Sequence, residues 1–524
     1  MALETFMSLA RAAGHEALPI PKRSASSAYP GASFSRRMSK IYAPKDAIST
    51  LLWQHAETLR DRSRQAVRQN PWAANGIERW VSNAIGTGIS PKLKSRDKAL
   101  RKAVHELWRR WVDQADATGQ TDFNGLEELA YRCTIEAGEV LGRLRFRYPT
   151  DSDRLGLKLV VPLQIQMLEP DHLDFQKNKS VQSANGTTVG TIRWGIEFDL
   201  MEQPVAYHLY KAHPYDYQAA GANRTETTRV PAKQILHVFR RMRGGQWRGE
   251  PWLSKVLTRL YELERYEDAA LQRGLGAALY SLYLKKTDLS TPGILPETDQ
   301  SGQTAITDVS PLSFNVLKPG EEMGATDPPD DPNYEPYTKD GRRGIAAGIG
   351  LAKHQLDGDV SDVNFSSARV AIQEFRRLCE QIQNNMFAYQ FCRPTWKAWI
   401  EQAILSGALR DSTGGTLDTA YNVDPWSFLD VDWSMPKWDW VDPLKDIEAE
   451  KTANRSGYKA IGQSIKERGY DVDEVFEEIA QNLALADELG ITLDTDPRKT
   501  SNNGTGTALA AKPEEPTPPR KKGK

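Results

Sequence analysis

Gly341-Arg342-Arg343-Gly344-Ile345-Ala346-Ala347-Gly348-Ile349-Gly350-Leu351 is the stretch that organises this chain. It reads as the end of an apolar, glycine-punctuated helix. A polar loop follows, from Ala352 to Phe365, and Ser366-Ser367-Ala368-Arg369 opens a long new helix. In that helix Ala371, Phe375, Leu378, Ile382, Met386 and Tyr389 recur every three or four residues, an amphipathic pattern expected to break near Pro394. Upstream, Val316-Leu317-Lys318-Pro319-Gly320-Glu321-Glu322-Met323 reads as a strand ending in a turn.

Further towards the N-terminus, Leu51, Leu52, His55 and Leu59 space a helix over Ile48 to Gln69 that bristles with Arg60, Arg62, Arg64 and Arg68. Asn70-Pro71-Trp72 restarts the helix, with Asn70 as N-cap and Pro71 at the first position, where its missing N–H costs nothing. Gly86-Thr87-Gly88 stops it. Residues 97–143 read as helices with Leu107, Trp108 and Trp111 on one face. From Gly142 to Phe239 the period shortens to two, through Leu144, Phe146 and Tyr148, through Leu157 to Val161, and through Ile192, Trp194, Ile196 and Phe198. Val205 to Tyr210 and Ile235 to Phe239 close the series, which makes an α+β chain. A helix of about 50 Å is expected from Gly249 to Lys286. Residues 287–331 are rich in turn formers. Four tryptophans (Trp426, Trp433, Trp438, Trp440) crowd residues 425–442, with Trp399 shortly before, and are expected to pack between subunits. Helices return over Asp446 to Ser456, Ser464 to Gly469 and Asp473 to Gly490, before a Pro, Gly, Thr and Lys-rich tail.

At 524 residues, 39% hydrophobic and 26% charged, the composition is that of a globular protein of several parts. No apolar run approaches the roughly 18 residues of a membrane span, so no membrane partner is expected. Met1 to Pro19 holds Glu4, Arg11, His15 and Glu16 and offers no signal-peptide core. Cys133, Cys379 and Cys392 are widely spaced and odd in number, which suits a reducing compartment. The net charge of -1 hides an asymmetry. Residues 1–45 carry seven basic and two acidic side chains and residues 495–524 seven and three, which leaves about -10 for the body. Such a balance argues against tight DNA binding but not against DNA sliding past.

No chemistry-bearing constellation survives inspection. There is no GxxxxGK[ST] phosphate loop, no GxSxG elbow, and His105-Glu106 lacks the second histidine of HExxH. Asp430-Val431-Asp432 resembles the aspartate pair of phosphoryl-transfer enzymes, but no α/β repeat follows it. Asp357-Gly358-Asp359-Val360-Ser361-Asp362 imitates the start of a calcium loop, yet has Asp362 where the turn glycine belongs and Ala368 where the closing glutamate belongs. The reading is no catalytic residue, no metal and no cofactor.

The order of strand, Pro-Gly-Glu turn, helix, "IAAGIG" end, polar loop and "SSAR" helix resembles the portal proteins of tailed phages, specifically the lambda-type family. The segment NPWAANGIERWVSNAIGTGI (from Asn70) is similar to the same family, as are Asp171-His172 and Gly195 to Tyr210. The resemblance covers roughly residues 48–494. It implies an α+β portal fold with a mixed α/β wing, a long-helix stem, a small clip and a helical crown, assembling as a ring. The implied boundaries are a flexible basic arm 1–47, wing 48–250, stem helix 251–286 and clip 287–331. A second stem helix 332–350, channel loop 351–365, long helix and rest of the wing 366–442, crown 443–494 and disordered basic tail 495–524 complete them.

The family function would be a homo-oligomeric ring of twelve subunits at one capsid vertex, in the virion after assembly in the host cytoplasm. Double-stranded DNA would pass through it, packaged by the terminase large subunit and later ejected. Major capsid protein, scaffold and a head-tail adaptor would be its other partners. Lys339, Arg342 and Arg343 on the stem helix, with Lys353 and His354 on the loop, would face the DNA. Asp357, Asp359 and Asp362 would repel their copies and keep the bore open, and Gly348 and Gly350 would be hinges. Arg60 to Arg68 are open to pairing with a neighbouring subunit's acids. The alternatives are another structural head protein, of head-completion or scaffold type, and a metal-dependent phosphoryl-transfer enzyme using Asp430 and Asp432.

Overall fold

The computed structural model describes residues 44–182, 185, 188–218, 225–279, 282–286, 321–325, 333–361, 364–411, 413–436, 438, 443–468, 470 and 472–491. Residues 1–43, most of 287–331, Asp362, Trp440 and residues 492–524 therefore lie outside the described residues. The chain divides into two units, Met1–Leu51 and Leu52–Lys524. The described part of the first is residues 44–51, with the first turn of α1 (Ile48–Gln69). All other elements belong to the second.

Helix α2 (Pro71–Ala84) starts where Asn70 Oδ1 accepts the Trp72 and Ala73 amides, at 3.0 and 3.2 Å. Asp97 and Asp122 cap α3 (Lys98–Val112) and α4 (Phe123–Glu136) in the same way. These helices bury Trp80, Trp108, Trp111 and Phe123 in one large core with Trp396 and Trp399. Among the buried indoles, Trp111 Nε1 donates to Leu163 O (2.8 Å) and Trp396 Nε1 to Phe428 O (3.0 Å), whereas Trp399 Nε1 has no acceptor among the described residues.

Strands β2 (Glu139–Phe146), β3 (Leu163–Leu168) and β9 (Ile235–Phe239) form an antiparallel sheet in the order β3-β2-β9. A second antiparallel sheet runs in sequence order through β4 (Lys179–Gln182), β5 (Thr188–Arg193), β6 (Ile196–Asp199), β7 (Pro204–Tyr210) and β8 (Thr227–Pro231). The alternation Ile192 to Phe198 is thus a hairpin, not one strand. Trp194 and Gly195 both take positive φ (53° and 77°), the two-residue turn whose twist suits a hairpin. Leu157 to Val161 is not a strand either. The Asp153 carboxylate accepts the Leu155 and Leu157 amides (2.9 and 2.8 Å) and folds the segment into a turn.

A 3₁₀ turn (Trp252–Lys255) leads into α5 (Leu257–Leu279), which stops short of Lys286. Leu282–Lys286 instead forms β10, paired antiparallel with β11 (Glu321–Ala325). Then come α6 (Tyr334–Ile349), the short α7 (Lys353–Asp357) and α8 (Phe365–Ile382). Pro394 does not break the long helix. Residues Gln383–Cys392 widen into a π-helix in which the Arg393 N–H reaches Ala388 O, and α9 (Arg393–Leu405) continues with Pro394 in its first turn.

Beyond the short helices α10 (Asp418–Val423) and α11 (Trp426–Leu429), β12 (Val431–Ser434) pairs antiparallel with β1 (Ser90–Leu93). Trp433 and Trp438 pack on the chain's own core and Trp438 Nε1 donates to Asn83 Oδ1 (3.0 Å), while Trp426 is exposed. Two of the three described tryptophans of that cluster therefore pack within the chain. Helices α12 (Pro443–Arg455), α13 (Ile461–Glu467) and α14 (Val472–Glu488) follow.

Candidate functional site

The glycines of α6 mark a close helix crossing. A Cβ on Gly341 would meet Leu263, one on Gly344 would meet Arg259, and one on Gly348 would lie 2.2 Å from Val256 Cγ1. Spaced three and four apart, they form one face against α5 and its leading turn, so Gly348 is a packing glycine. Gly350 has a different role. At φ 83° it is the left-handed cap of α6, its N–H returning to Ala346 O and Ala347 O. The hinge expectation for these two residues thus meets a tight contact and a helix cap.

The two segments that carry the family resemblance touch each other at this cap. Trp80 Nε1 of α2 donates to Ile349 O (2.9 Å), and Gly76 admits the Ile349 side chain. Asn75 Nδ2 donates to Leu356 O (2.5 Å). Leu351 and Leu356 are buried in the core, so the loop is pinned by its first residues and by α7. Trp80 is itself wedged edge-on between Trp252 (5.1 Å) and Phe375 (5.0 Å).

The proposed DNA-facing cations sort into two groups. Arg342 pairs with Glu267 (3.0 Å) and stacks over Trp72 (4.4 Å), so it holds α6 within the subunit. Lys353 is largely buried and lies 3.4 Å from Asp357 and 2.8 Å from Asp359. The Lys353 contact, helped by Ser361, holds the Asp359 carboxyl well below the usual carboxylate range. Asp357 is turned inward, its side chain only 2% exposed. Asp357 and Asp359 thus share the single cation of Lys353, which offsets part of their charge, and Asp362 lies outside the described residues. His354 Nε2 is buried without a hydrogen-bond partner among the described residues. Lys339 lies 3.2 Å from Glu335, and Arg343 is exposed and 3.7 Å from Asp340.

Elsewhere the charged groups are structural. Asp430 and Asp432 flank Lys94 Nζ at 3.3 and 2.8 Å, an exposed ion triad at the β1–β12 pair. Arg60 and Arg64 reach acids of their own chain: Arg60 lies 3.3 Å from Asp171, and Arg64 lies 2.7 Å from Asp171 and 2.6 Å from Glu169. Glu169, Asp171 and His213 have the spacing of metal ligands, but both arginines already occupy Asp171. Glu139 is buried with Arg248, His237 (3.0 Å) and the Gly249 amide (2.8 Å), and these partners, Arg248 foremost, outweigh desolvation and hold its carboxyl far below normal. Trp72, Asn75 and Trp80, which hold α6 and the loop after it, gave no separate sign of that role in sequence. All three cysteines are free thiols. Among the described residues no helix is long and apolar enough to cross a membrane.

The family model "Phage portal protein, lambda family" matches residues 34–383. The chain is 27% identical over 459 residues to the probable portal protein of Halomonas phage phiHAP-1, covering 84% of this chain and 83% of that protein. It is 19% identical over 493 residues to portal protein B of Escherichia phage lambda, covering 85% and 87%. Among solved structures, a chain of the virion of a native gene transfer agent particle aligns with a TM-score of 0.42 at 14% identity, covering 82% of this chain and 95% of that one. Matched over about two thirds of its length, the chain belongs to the lambda family of phage portal proteins.

Proposed function

We propose that twelve copies of this chain form a ring at one capsid vertex. Duplex DNA passes through it during packaging and ejection, and the loop 351–365 lines the passage. The observation that carries this reading is the junction of α2, the α6 cap and the loop. Trp80, Asn75, Leu351 and Leu356 hold the loop's base rigidly, while Val360 at its far part is exposed. A conduit needs such a fixed rim and must not grip its cargo. With Arg342, Lys353 and Lys339 all beside carboxylates of their own chain, the exposed Arg343 is the better candidate for brief phosphate contacts.

The absence of a phosphate loop from the sequence supports a separate terminase as the ATP-driven motor, with the ring itself non-catalytic. Residues 287–331 would face that motor. Capsid protein, scaffold and head-tail adaptor would contact the ring in the virion, after assembly in the host cytoplasm. Site-specific crosslinking tests the reading. Val360→Cys bearing a photo-crosslinker should attach to DNA in particles arrested during packaging, and Leu155→Cys, also exposed and in the turn between β2 and β3, should not. Equal labelling from both sites, or none from Val360→Cys, would remove the loop from the passage.

A further inference from the structure

Helix α3 has a basic stripe that the channel reading does not use. Each helical residue turns the chain by about 100°, so Lys98, Arg101, Lys102, His105 and Arg109 fall within one arc of about 100° and run along roughly 16 Å of helix. Lys98, Lys102, His105 and Arg109 are exposed and Arg101 is half-buried. The buried face of the helix, through Val104, Trp108 and Trp111, adjoins the stripe on its Arg101 side and fixes its orientation. A cleft of about 300 Å³ lies along it, floored by Trp108 and Trp396 and bordered by α14.

The crown helix α14 supplies the cover. Lys98 Nζ lies 2.5 Å from Glu477 and Arg101 Nη2 lies 2.6 Å from Asp473. Lys102 and Arg109 make no ion pair among the described residues. Glu106 is the one acid of α3 on the cleft. All four carboxylate-bearing or cationic side chains in the two bridges keep part of their surface in water. Such exposed bridges are weak and weaken further with salt, so another anion can replace them.

We propose that this stripe is a contact for the phosphate backbone of duplex DNA and that Asp473 and Glu477 of α14 are its exchangeable acidic cover. Three features favour a polyanionic backbone over an acidic protein surface. The cations lie in a line, as phosphates do. Four of the five are long flexible side chains, which suits sequence-independent contact. They also interrupt a body whose net charge is otherwise acidic, so each copy in a ring would present the same isolated basic line. The inference rests on the portal reading, since a ring through which DNA passes brings duplex to its surface.

The test uses the full chain and a fluorescently labelled duplex of about 30 base pairs, titrated at several salt concentrations. Lys102→Gln/Arg109→Gln should weaken binding about tenfold or more at low salt and lower the salt slope by about two per engaged subunit. Asp473→Asn/Glu477→Gln should strengthen binding severalfold. Unchanged DNA affinity in both double variants overturns the proposal. So does loss of binding to poly-glutamate without loss of binding to DNA, which would assign the stripe to an acidic protein. Ring imaging of the same samples separates the failures: intact rings with unaltered DNA binding refute the stripe alone, whereas absence of rings in the parent protein refutes the portal reading.

Discussion

Gly348→Ala tests the packing of α5 on α6, because the structure fixes the size of the clash. The new Cβ would sit 2.2 Å from Val256 Cγ1 and 3.8 Å from Val256 Cβ. Comfortable carbon contacts begin near 3.5 Å, so the helices must part by about 1 Å or Val256 must leave its rotamer. Overpacking of this kind costs about 1–3 kcal/mol, and the better helix propensity of alanine returns at most about 1. The net loss should be about 1–2 kcal/mol, read as a thermal midpoint lowered by a few degrees. Val256→Ala removes the opposing methyls and should be destabilising alone, since Val256 is buried. The double variant should be more stable than the sum of the two single changes predicts, with a coupling of about 1 kcal/mol or more. A hinge predicts something else: normal stability of Gly348→Ala with altered packaging. Gly348→Ala as stable as the parent, or strict additivity with Val256→Ala, would refute the packing argument.

Trp80→Phe keeps most of the aromatic contact but leaves Ile349 O without its donor; it should cost about 1–3 kcal/mol and speed hydrogen exchange at the Leu351 and Leu356 amides, while exchange in β6 and β7 stays unchanged. Glu127 is fully buried against the Ile89 amide and Cys392, and burial pushes its carboxyl up to about 8. Because the folded chain holds that proton more tightly, this group's contribution is largest below about 4.5 and is lost as pH rises towards 8, so Glu127→Gln should flatten the fall in thermal midpoint across that window. Arg248→Met strands the buried Glu139 carboxylate and should cost about 3–5 kcal/mol at neutral pH, easing in acid as Glu139 protonates, which a pH series of unfolding midpoints will read.

Local rules made much of the architecture legible. Asn70-Pro71 announces a helix start, and the side-chain oxygen of Asn70 caps it as the residue types require. The glycine run of α6 announces its end, and Gly350 supplies the left-handed cap. What local pattern missed depends on distant partners. Leu282–Lys286 continues a helical run in sequence, yet pairs with Glu321–Ala325 about 40 residues away, and no local period reports that. Trp194 sits in an unbroken alternation but turns the chain, because Gly195 beside it makes a two-residue hairpin turn available. Charges were the least legible. Arg342 and Lys353 looked free in sequence, and only the fold brings Glu267 to one and Asp357 and Asp359 to the other. The same holds for Arg60 and Arg64, whose partners lie about 100 residues on.

The central claim is tested most directly by electron cryomicroscopy of the purified full-length protein. A closed ring of twelve copies around an open passage, with residues 351–361 at its narrowest part and Trp80 against the end of α6 in every copy, is the predicted result. A ring whose passage is lined by other segments, with 351–361 on its outer surface, would contradict the account.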